Sequence, residues 1–250
     1  MLRLARSVRI LSVAAALLAL LAASPARAED PPADATSDQV KAAMDVFRAA
    51  YKGDDDAKND AVDKLAEIRH PSVFGVLGNL LKSNESQTVK TNVARLLGAY
   101  HDKRCAKFLL DGYAANKKNS KVLEVIFTAM ANIGDESVVE TIGKHIQSKG
   151  TGLDKETFGA VKSGITALGK IKAKESVEPL LKLGESLGGL QNLDAEKQGL
   201  RNEAMNEIVA ALKELTGQEI KGDRSDLIIA DYKKWWKANQ KTWDPNKKSS

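Results

Sequence analysis

The sequence predicts an all-α protein, an α-solenoid of about five helix pairs that ends in an aromatic cap helix. Three observations support this fold class. Apolar residues recur at helical spacing in registered columns. The chain is 43% hydrophobic but only 5% aromatic, and small aliphatic side chains suit helix-on-helix packing. Finally, Gly, Pro, Asp and Ser separate the apolar segments, as residues that stop and start helices do.

The first 28 residues have the pattern of a secretory signal peptide. Three arginines precede an apolar stretch over residues 10–23, and an A-x-A cleavage site ends at Ala28. Because the stretch is too short to cross a bilayer comfortably, we expect an exported protein, periplasmic or extracellular, cleaved near Ala28-Glu29 and without stable membrane insertion. Residues 29–37 are expected to form a flexible segment before the first helix.

Cleavage changes the net charge of the chain. The formal charge of the whole sequence is +5, and residues 1–28 contain four arginines and no acid, so removing them leaves +1. Residues 231–250 hold six lysines and two aspartates, a net charge of +4, which leaves about −3 for residues 29–230. This balance does not favour a nucleic-acid partner.

The clearest pattern is one apolar stripe that repeats along residues 38–217. Its residues lie at offsets 0, 4, 7, 8 and 11, which fall on one side of a helix. The stripes are Ala57, Ala61, Lys64, Leu65 and Ile68; Val89, Val93, Leu96, Leu97 and Tyr100; Val122, Ile126, Ala129, Met130 and Ile133; Ala160, Gly164, Ala167, Leu168 and Ile171; and Ala204, Ile208, Ala211, Leu212 and Leu215. Lys64 interrupts the first stripe, as expected of a terminal repeat.

A second helix follows each of the first four stripes after a short turn. Its predicted core positions lie eight and twelve residues beyond the fourth residue of the stripe, and they hold Val73 and Leu77, Cys105 and Leu109, Val138 and Ile142, and Ser176 and Leu180. Each unit is therefore predicted to contain two antiparallel helices. Insertions at residues 149–152 and 184–194 predict two enlarged loops.

These units resemble the HEAT repeat family, including the HEAT-like repeats of phycobilisome lyases. The resemblance rests on Ala167-Leu168-Gly169-Lys170-Ile171 and on the segment from Ala129 to Asp135, and it covers residues 38–217. It implies a solenoid that serves as a binding scaffold, since most HEAT arrays bind other molecules. Only some of the lyase relatives have an activity. The ending, Leu-Thr-Gly followed by a Trp-Trp helix, is similar to that of other exported bacterial HEAT repeat proteins.

Residues 218–243 are predicted to form the cap helix segment, followed by a disordered basic tail over 244–250. Ser225-Asp226 is the expected helix cap, and the stripe becomes Ile228, Tyr232, Trp235, Trp236 and Asn239. Trp235, Trp236 and Trp243 are the three tryptophans of the chain, and they lie among Lys233 and other lysines. We interpret them as covering the last repeat, with a ligand- or carbohydrate-binding surface as the alternative.

No set of reactive side chains predicts catalysis, a metal site or a cofactor. Cys105 is the only cysteine and lies in a core column, which predicts a small packed side chain and not a nucleophile. His70, His101 and His145 belong to separate units and lack metal-binding spacing. A bilin-lyase-like enzyme that uses Cys105 is therefore the less favoured reading.

The polar side of the stripe helices is the candidate binding surface. We select Asp63, Arg95, Thr128, Lys162 and Thr166 from it, and Lys233, Trp235, Trp236 and Trp243 from the C-terminal segment. The expected function is a non-enzymatic scaffold that binds a protein partner outside the cytoplasm. The mixed signs of these side chains do not identify that partner.

Overall fold

The computed structural model describes residues 33–247, and within them eleven α-helices and three 3-10 helices occur without any strand. The all-helical prediction is confirmed for this part of the chain. The predicted signal peptide, residues 29–32 and residues 248–250 lie outside the described residues. The α-helices are α1 (Ser37–Ala50), α2 (Asp55–Ala66), α3 (Pro71–Lys82), α4 (Gln87–Ala99), α5 (Ala106–Ala115), α6 (Ser120–Ile133), α7 (Val139–Gly150), α8 (Lys155–Lys170), α9 (Val177–Gly188), α10 (Ala195–Thr216) and α11 (Ser225–Asn239).

The helix boundaries follow from local capping chemistry. The side chains of Asp54, Ser86 and Asp194 each accept a hydrogen bond from the backbone N–H three residues later, which satisfies an amide that has no partner inside the helix. Gly134 and Gly217 follow α6 and α10 with φ of 64° and 68°, a left-handed conformation that glycine adopts without a steric penalty. Short polar residues and glycine therefore begin and end these helices.

Most helices pack on a chain neighbour and on the second helix along the chain. The even-numbered helices contact one another in the order α2, α4, α6, α8 and α10, while α3 contacts α5, α7 contacts α9, and α9 contacts α11. Among consecutive helices, the contacts within α1/α2, α3/α4, α5/α6, α7/α8 and α9/α10 are more extensive than those within α2/α3, α4/α5, α6/α7 and α8/α9. Each even-numbered helix is therefore paired with the helix before it, whereas the sequence predicted a pair with the helix after it.

The predicted stripes form much of the core, because their side chains point between these packed helices. Val122, Ile126, Ala129, Met130 and Ile133 are all buried, as the spacing predicted. In the first stripe Ala61 and Leu65 are buried while Lys64 is exposed. Lys64 therefore interrupts the core where the sequence placed a terminal repeat.

Two glycines in the even-numbered helices allow close contact between neighbouring helices. A Cβ atom at Gly98 would lie 2.6 Å from Ala129 Cα, and one at Gly169 would lie 2.8 Å from Ala211 Cα. Both glycines directly follow the fourth residue of their stripe. The repeated glycine is therefore explained by backbone approach, since no side chain fits there.

The predicted enlarged loops are wrong in extent. Helix α7 continues to Gly150 and α9 to Gly188, so the connections contain only residues 151–154 and 189–194. Much of the extra length lies instead in α10, which has 22 residues. Asp194 caps α10 and Arg201 Nε donates to the Leu187 carbonyl at 2.7 Å, so capping and packing extend the helix into a polar sequence.

Helix α11 contacts α9 and α10, and the residues that it buries differ from those predicted. The buried residues are Ile229, Tyr232 and Trp236, so Ile229 replaces the predicted Ile228 in the core face. The N-cap position is Arg224, without a capping side chain, and Ser225 is already in the helix. Arg224 instead forms an ion pair with Asp226 at 2.6 Å.

Part of the predicted flexible segment contacts the turns of the first repeats. Asp34 accepts two hydrogen bonds from the Arg104 guanidinium at 2.6 and 2.7 Å, and Ala35 N donates to the Arg69 carbonyl. Thr36 then caps α1, whose first residue is Ser37. The described residues before α1 are therefore joined to residues about seventy positions later in the chain.

Candidate functional site

The candidate surface is the exposed polar side of α2, α4, α6, α8 and α10, called here the even-helix face. Between α2 and α4 it contains a polar cluster around Asn92, whose amide donates to Asp63 Oδ1 at 3.0 Å. Arg95 donates to Asn92 Oδ1 at 2.6 Å and lies 3.5 Å from Asp63 Oδ1. The predicted residues Asp63 and Arg95 are thus brought together, with Asn92 hydrogen-bonded to both.

An open groove of about 310 Å³ lies between α6 and α8 on the same face. It contains three of the predicted residues, Thr128, Lys162 and Thr166. We call it the α6–α8 groove, and its lining residues are Glu124, Thr128, Ala131, Gly159, Lys162, Ser163, Thr166, Ala167 and Lys170. Hydroxyl, carboxylate and amino groups therefore surround an apolar floor.

The absence of a side chain at Gly159 shapes the upper part of this groove. A Cβ atom at that position would lie 2.7 Å from Glu124 Oε2, so the carboxylate occupies space that any larger residue would need. Lys121 Nζ lies 3.9 Å from the same oxygen. The Glu124 carboxylate therefore lies against α8, with its charge beside the groove.

The two threonines use their own helices to orient their hydroxyl groups. Thr128 Oγ1 donates to the Glu124 carbonyl at 3.0 Å, and Thr166 Oγ1 donates to the Lys162 carbonyl at 3.1 Å. A hydroxyl that donates once still has acceptor capacity. Both side chains can therefore accept hydrogen bonds from a molecule in the groove.

Lys162 connects the groove to α10. Its amino group donates to Glu203 Oε1 at 2.7 Å and lies 3.4 Å from Glu207 Oε1. The hydrogen bond from Lys162 to Glu203 raises the pKa of the lysine because the carboxylate stabilises the charged form. The amino group is therefore a fixed cation beside two carboxylates.

The sequence columns selected for the site omitted some of its main polar residues. Asn92 and Ser163 both lie three residues after the first residue of their stripes. The predicted residues were taken from the columns two and six residues after that first residue. The α6–α8 groove also includes Lys170, at the end of α8. The shared column was a signal available in the sequence.

The tryptophans form one cluster on the C-terminal segment. Trp236 and Trp243 have ring centroids 5.5 Å apart, and Trp235 lies 6.3 Å from each of them. Trp236 is buried, with Nε1 donating to Glu178 Oε1, while Trp235 and Trp243 are partly buried. Lys233 forms an ion pair with Glu185 of α9, so this lysine also joins α11 to the last repeat.

Cys105 is fully buried, as its core column predicted. Burial raises the pKa of its thiol to about 12, which disfavours the nucleophilic thiolate. His145 is also buried, and burial lowers its pKa to about 4. His70 caps α3, and His101 Nδ1 lies 2.9 Å from the Asn132 carbonyl in a different turn. The three histidines thus occupy separate places.

Within residues 33–247 no group of three or more His, Cys, Asp or Glu side chains is placed to hold a metal ion. None of the described helices is long and apolar enough to span a membrane.

A comparison with protein-family models gave no match, and a comparison with curated proteins gave none either.

Proposed function

We propose that this protein is a HEAT-like α-solenoid that acts outside the cytoplasm as a non-enzymatic scaffold and binds a partner protein on its even-helix face. The observation that carries the proposal is the α6–α8 groove, in which Thr128, Lys162 and Thr166 meet. They come from two helices whose sequences are separated by a complete helix, so the groove is a product of helix stacking.

The packing order of the helices supports the solenoid. Even-numbered helices contact even-numbered helices from α2 to α10, and α11 covers the last pair. Repeats that contact only their neighbours form extended arrays with long surfaces for partners. The regular spacing of the polar columns then places one row of side chains along those surfaces.

The chemistry of the face supports binding over catalysis. Asp63 and Arg95 pair with each other, and Lys162 pairs with Glu203 and Glu207, so both cations already have carboxylate partners. Nucleophilic catalysis needs an activated nucleophile beside a base, and the one thiol, at Cys105, is buried. A surface of ion-paired side chains, with threonine hydroxyls that can still accept hydrogen bonds, suits contacts with a polypeptide.

The cellular location in this proposal comes from the N-terminal pattern of three arginines, an apolar stretch and an A-x-A site. An N-terminal sequence read from the exported protein tests it. We expect the chain to begin at Glu29, and a chain that keeps residues 1–28 in the cytoplasm contradicts this location.

Site-specific photo-crosslinking tests the proposed binding face. A photoreactive amino acid at Ser163 is expected to produce a defined crosslinked protein in cells that export the chain, because Ser163 lines the α6–α8 groove. Thr166→Arg places a long cation in the groove and should reduce the crosslink at least about tenfold, the effect of losing about 1.4 kcal/mol of binding free energy.

Thr151→Arg is the matched control, because Thr151 is exposed in the turn after α7 and does not line the groove. It should leave the crosslink at the wild-type level. The proposal fails if Ser163 crosslinks to no protein, or if Thr166→Arg and Thr151→Arg behave alike.

A further inference from the structure

A larger groove lies between α7 and α9, and the proposed function does not use it. Its volume is about 630 Å³, and we call it the α7–α9 groove. The lining residues are Glu136, Ser137, Val139, Glu140, Gly143, Lys144, Gln147, Glu175, Glu178, Pro179 and Lys182. Gly143 and Pro179 touch at its floor, since a Cβ atom at position 143 would lie 2.9 Å from Pro179 Cγ.

The corresponding place between α3 and α5 is filled by the protein itself. The repeat register places Gly143 where α3 has Gly78, and Pro179 where α5 has Phe108. The Phe108 side chain lies over Gly78, because a Cβ atom there would meet its Cδ1 at 2.5 Å. A proline ring is smaller than a phenylalanine ring, and this difference leaves the α7–α9 groove without the aromatic side chain of the earlier repeat.

The charged residues around the two places also differ in sign. Lys107 lies over the Phe108 ring, with Nζ 4.7 Å from the ring centroid. The residue in the same register at the α7–α9 groove is Glu178. Glu175 likewise occupies the position that Arg104 holds in the earlier repeat, since each lies seven residues after the fourth residue of its stripe. An aromatic ring with a neighbouring cation in one repeat is thus replaced by an open groove with carboxylates in the other.

A second difference keeps the groove open along its length. Between α3 and α5 the ion pair of Lys82 and Asp111 spans the helices at 3.4 Å. In the same register α7 and α9 have Gln147 and Lys182, which have no opposite charges to join them. Both residues line the groove.

Carboxylates outnumber amino groups around the α7–α9 groove. Four glutamates and two lysines line it, a net charge of −2. Lys144 is paired with Glu140, and Glu178 accepts the hydrogen bond from Trp236. Glu136 and Glu175 are exposed. A cationic side chain that approaches this rim meets uncompensated negative charge, while an apolar side chain fits the floor.

We propose that the α7–α9 groove binds a segment of a partner protein that places an aromatic side chain over Gly143 and Pro179 and an adjacent lysine or arginine beside Glu175. The occupant supplies from outside what Phe108 and Lys107 supply within the α3/α5 pair. Burial of the aromatic ring provides affinity, and the carboxylates select the cation. The inference rests on the proposed scaffold function in taking a protein as the partner.

A minimal probe tests this chemistry on the full exported protein labelled with ¹⁵N. Acetyl-Lys-Phe-amide should shift the amide resonances of Gly143 and Gln147 with a dissociation constant of about 1 mM, typical of a contact this small. Acetyl-Glu-Phe-amide should bind at least about tenfold more weakly, since like charges at a desolvated rim are unfavourable.

Pro179→Phe is the decisive variant because it places in this groove the residue that fills the α3/α5 position. Binding of acetyl-Lys-Phe-amide should fall at least about tenfold. Pro71→Phe is the matched control, since Pro71 also lies in the first turn of its helix, is exposed and does not line the groove. Circular dichroism of both variants reports whether the helices remain intact.

Three results overturn the inference: no shift at Gly143 and Gln147, equal binding of the two dipeptides, or unchanged binding by Pro179→Phe. Concentration-dependent dimerisation that Pro179→Phe abolishes also overturns it, because the occupant is then a second copy of the chain. Failure of the even-helix face is distinguishable, since it appears as persistent crosslinking in Thr166→Arg and leaves the dipeptide titration unaffected.

Discussion

The indole Nε1 of Trp236 donates a hydrogen bond to Glu178 Oε1 at 2.8 Å and joins α11 to α9. Trp236 is only 3% exposed, so its ring also fills the space over the last repeat. A buried indole gains from apolar burial and needs a partner for its N–H group. Trp236 therefore contributes both apolar burial and a hydrogen bond to the packing of α11 against α9.

Replacement of Trp236 should therefore destabilise the protein strongly. Trp236→Ala removes the buried ring and the hydrogen bond, and we expect a loss of about 3 kcal/mol in the free energy of unfolding. Lys237→Ala, at the exposed neighbouring position, should change it by less than about 0.5 kcal/mol. Urea denaturation followed by circular dichroism measures both. Equal effects of the two variants would show that α11 does not stabilise the repeats.

Gly169 should not tolerate even a methyl group. In Gly169→Ala the new Cβ meets the Ala211 backbone, and because backbone atoms cannot move aside cheaply we expect a loss of about 2 kcal/mol. Gly199→Ala in α10 is the control, since no heavy atom outside its own helix turn lies within 4 Å of the new Cβ.

The control should be neutral or stabilise the protein by up to about 1 kcal/mol, because alanine favours helix more than glycine does. Thermal unfolding of the two variants separates the effects. A Gly169→Ala protein as stable as wild type would mean that α8 and α10 can separate at no cost.

Asp102 should make the stability sensitive to strong acid. It is buried and accepts hydrogen bonds from Arg69 at 2.6 Å and from Arg104 at 2.7 Å. The hydrogen bonds from Arg104 lower the pKa of Asp102 below its ordinary value of 3.8, although burial of the carboxylate acts in the opposite direction. The stabilisation is therefore present above about pH 4 and is lost as the pH falls through the folded-state pKa.

Asp102→Asn should remove this acid dependence and cost about 3 kcal/mol at neutral pH, because it leaves Arg69 without its buried partner. Asp111→Asn is the control, since Asp111 is 57% exposed at its pairing with Lys82, and its effect should stay below about 0.5 kcal/mol. Urea unfolding of the wild type and of both variants, at pH 7 and at pH 3, measures these free energies. Identical pH dependence of wild type and Asp102→Asn would exclude this carboxylate as the source.

His145 should act in a different pH range. Burial lowers its pKa from 6.5 to about 4, its ring packs against Phe127 and Tyr113, and its Nε2 has no hydrogen-bond partner among the described residues. Because the unfolded chain takes up a proton more readily, stability is constant above about pH 6.5 and falls between about pH 6.5 and 4, by an amount on the order of 3 kcal/mol.

His145→Phe keeps an aromatic ring in this place and should flatten the stability profile between pH 6.5 and 4, the two pKa values of His145. His70→Asn retains a capping side chain at α3 and should leave the profile unchanged. Denaturant midpoints across this range provide the comparison. A profile that still falls in His145→Phe assigns the effect to another group.

Much of the fold was accessible from periodicity. The stripe from Val122 to Ile133 predicted a buried helix face, and Cys105 was expected in the core from its column alone. Lys64 likewise marked an exposed position in the first repeat. These predictions hold because the direction of a side chain around a helix depends on the local backbone, which repeats every 3.6 residues.

Helix boundaries and contacts between helices were harder to predict from the sequence. The polar start of α10 reads as a loop, yet the Asp194 cap and the hydrogen bond from Arg201 keep it helical. Ile229 and not Ile228 is buried in the core, where its side chain lies against Gly184 of α9. Such choices depend on helix packing, which overrides local preference.

The sequence by itself determined that this chain forms repeated amphipathic helices, which face of most of them is buried, and that an aromatic helix follows the last repeat. Only the tertiary structure decided that Thr128, Lys162 and Thr166 line one groove and that Phe108 fills a place which Pro179 leaves open. The physical reason is that burial follows a local period, whereas a groove depends on the sizes of side chains that meet from distant parts of the chain.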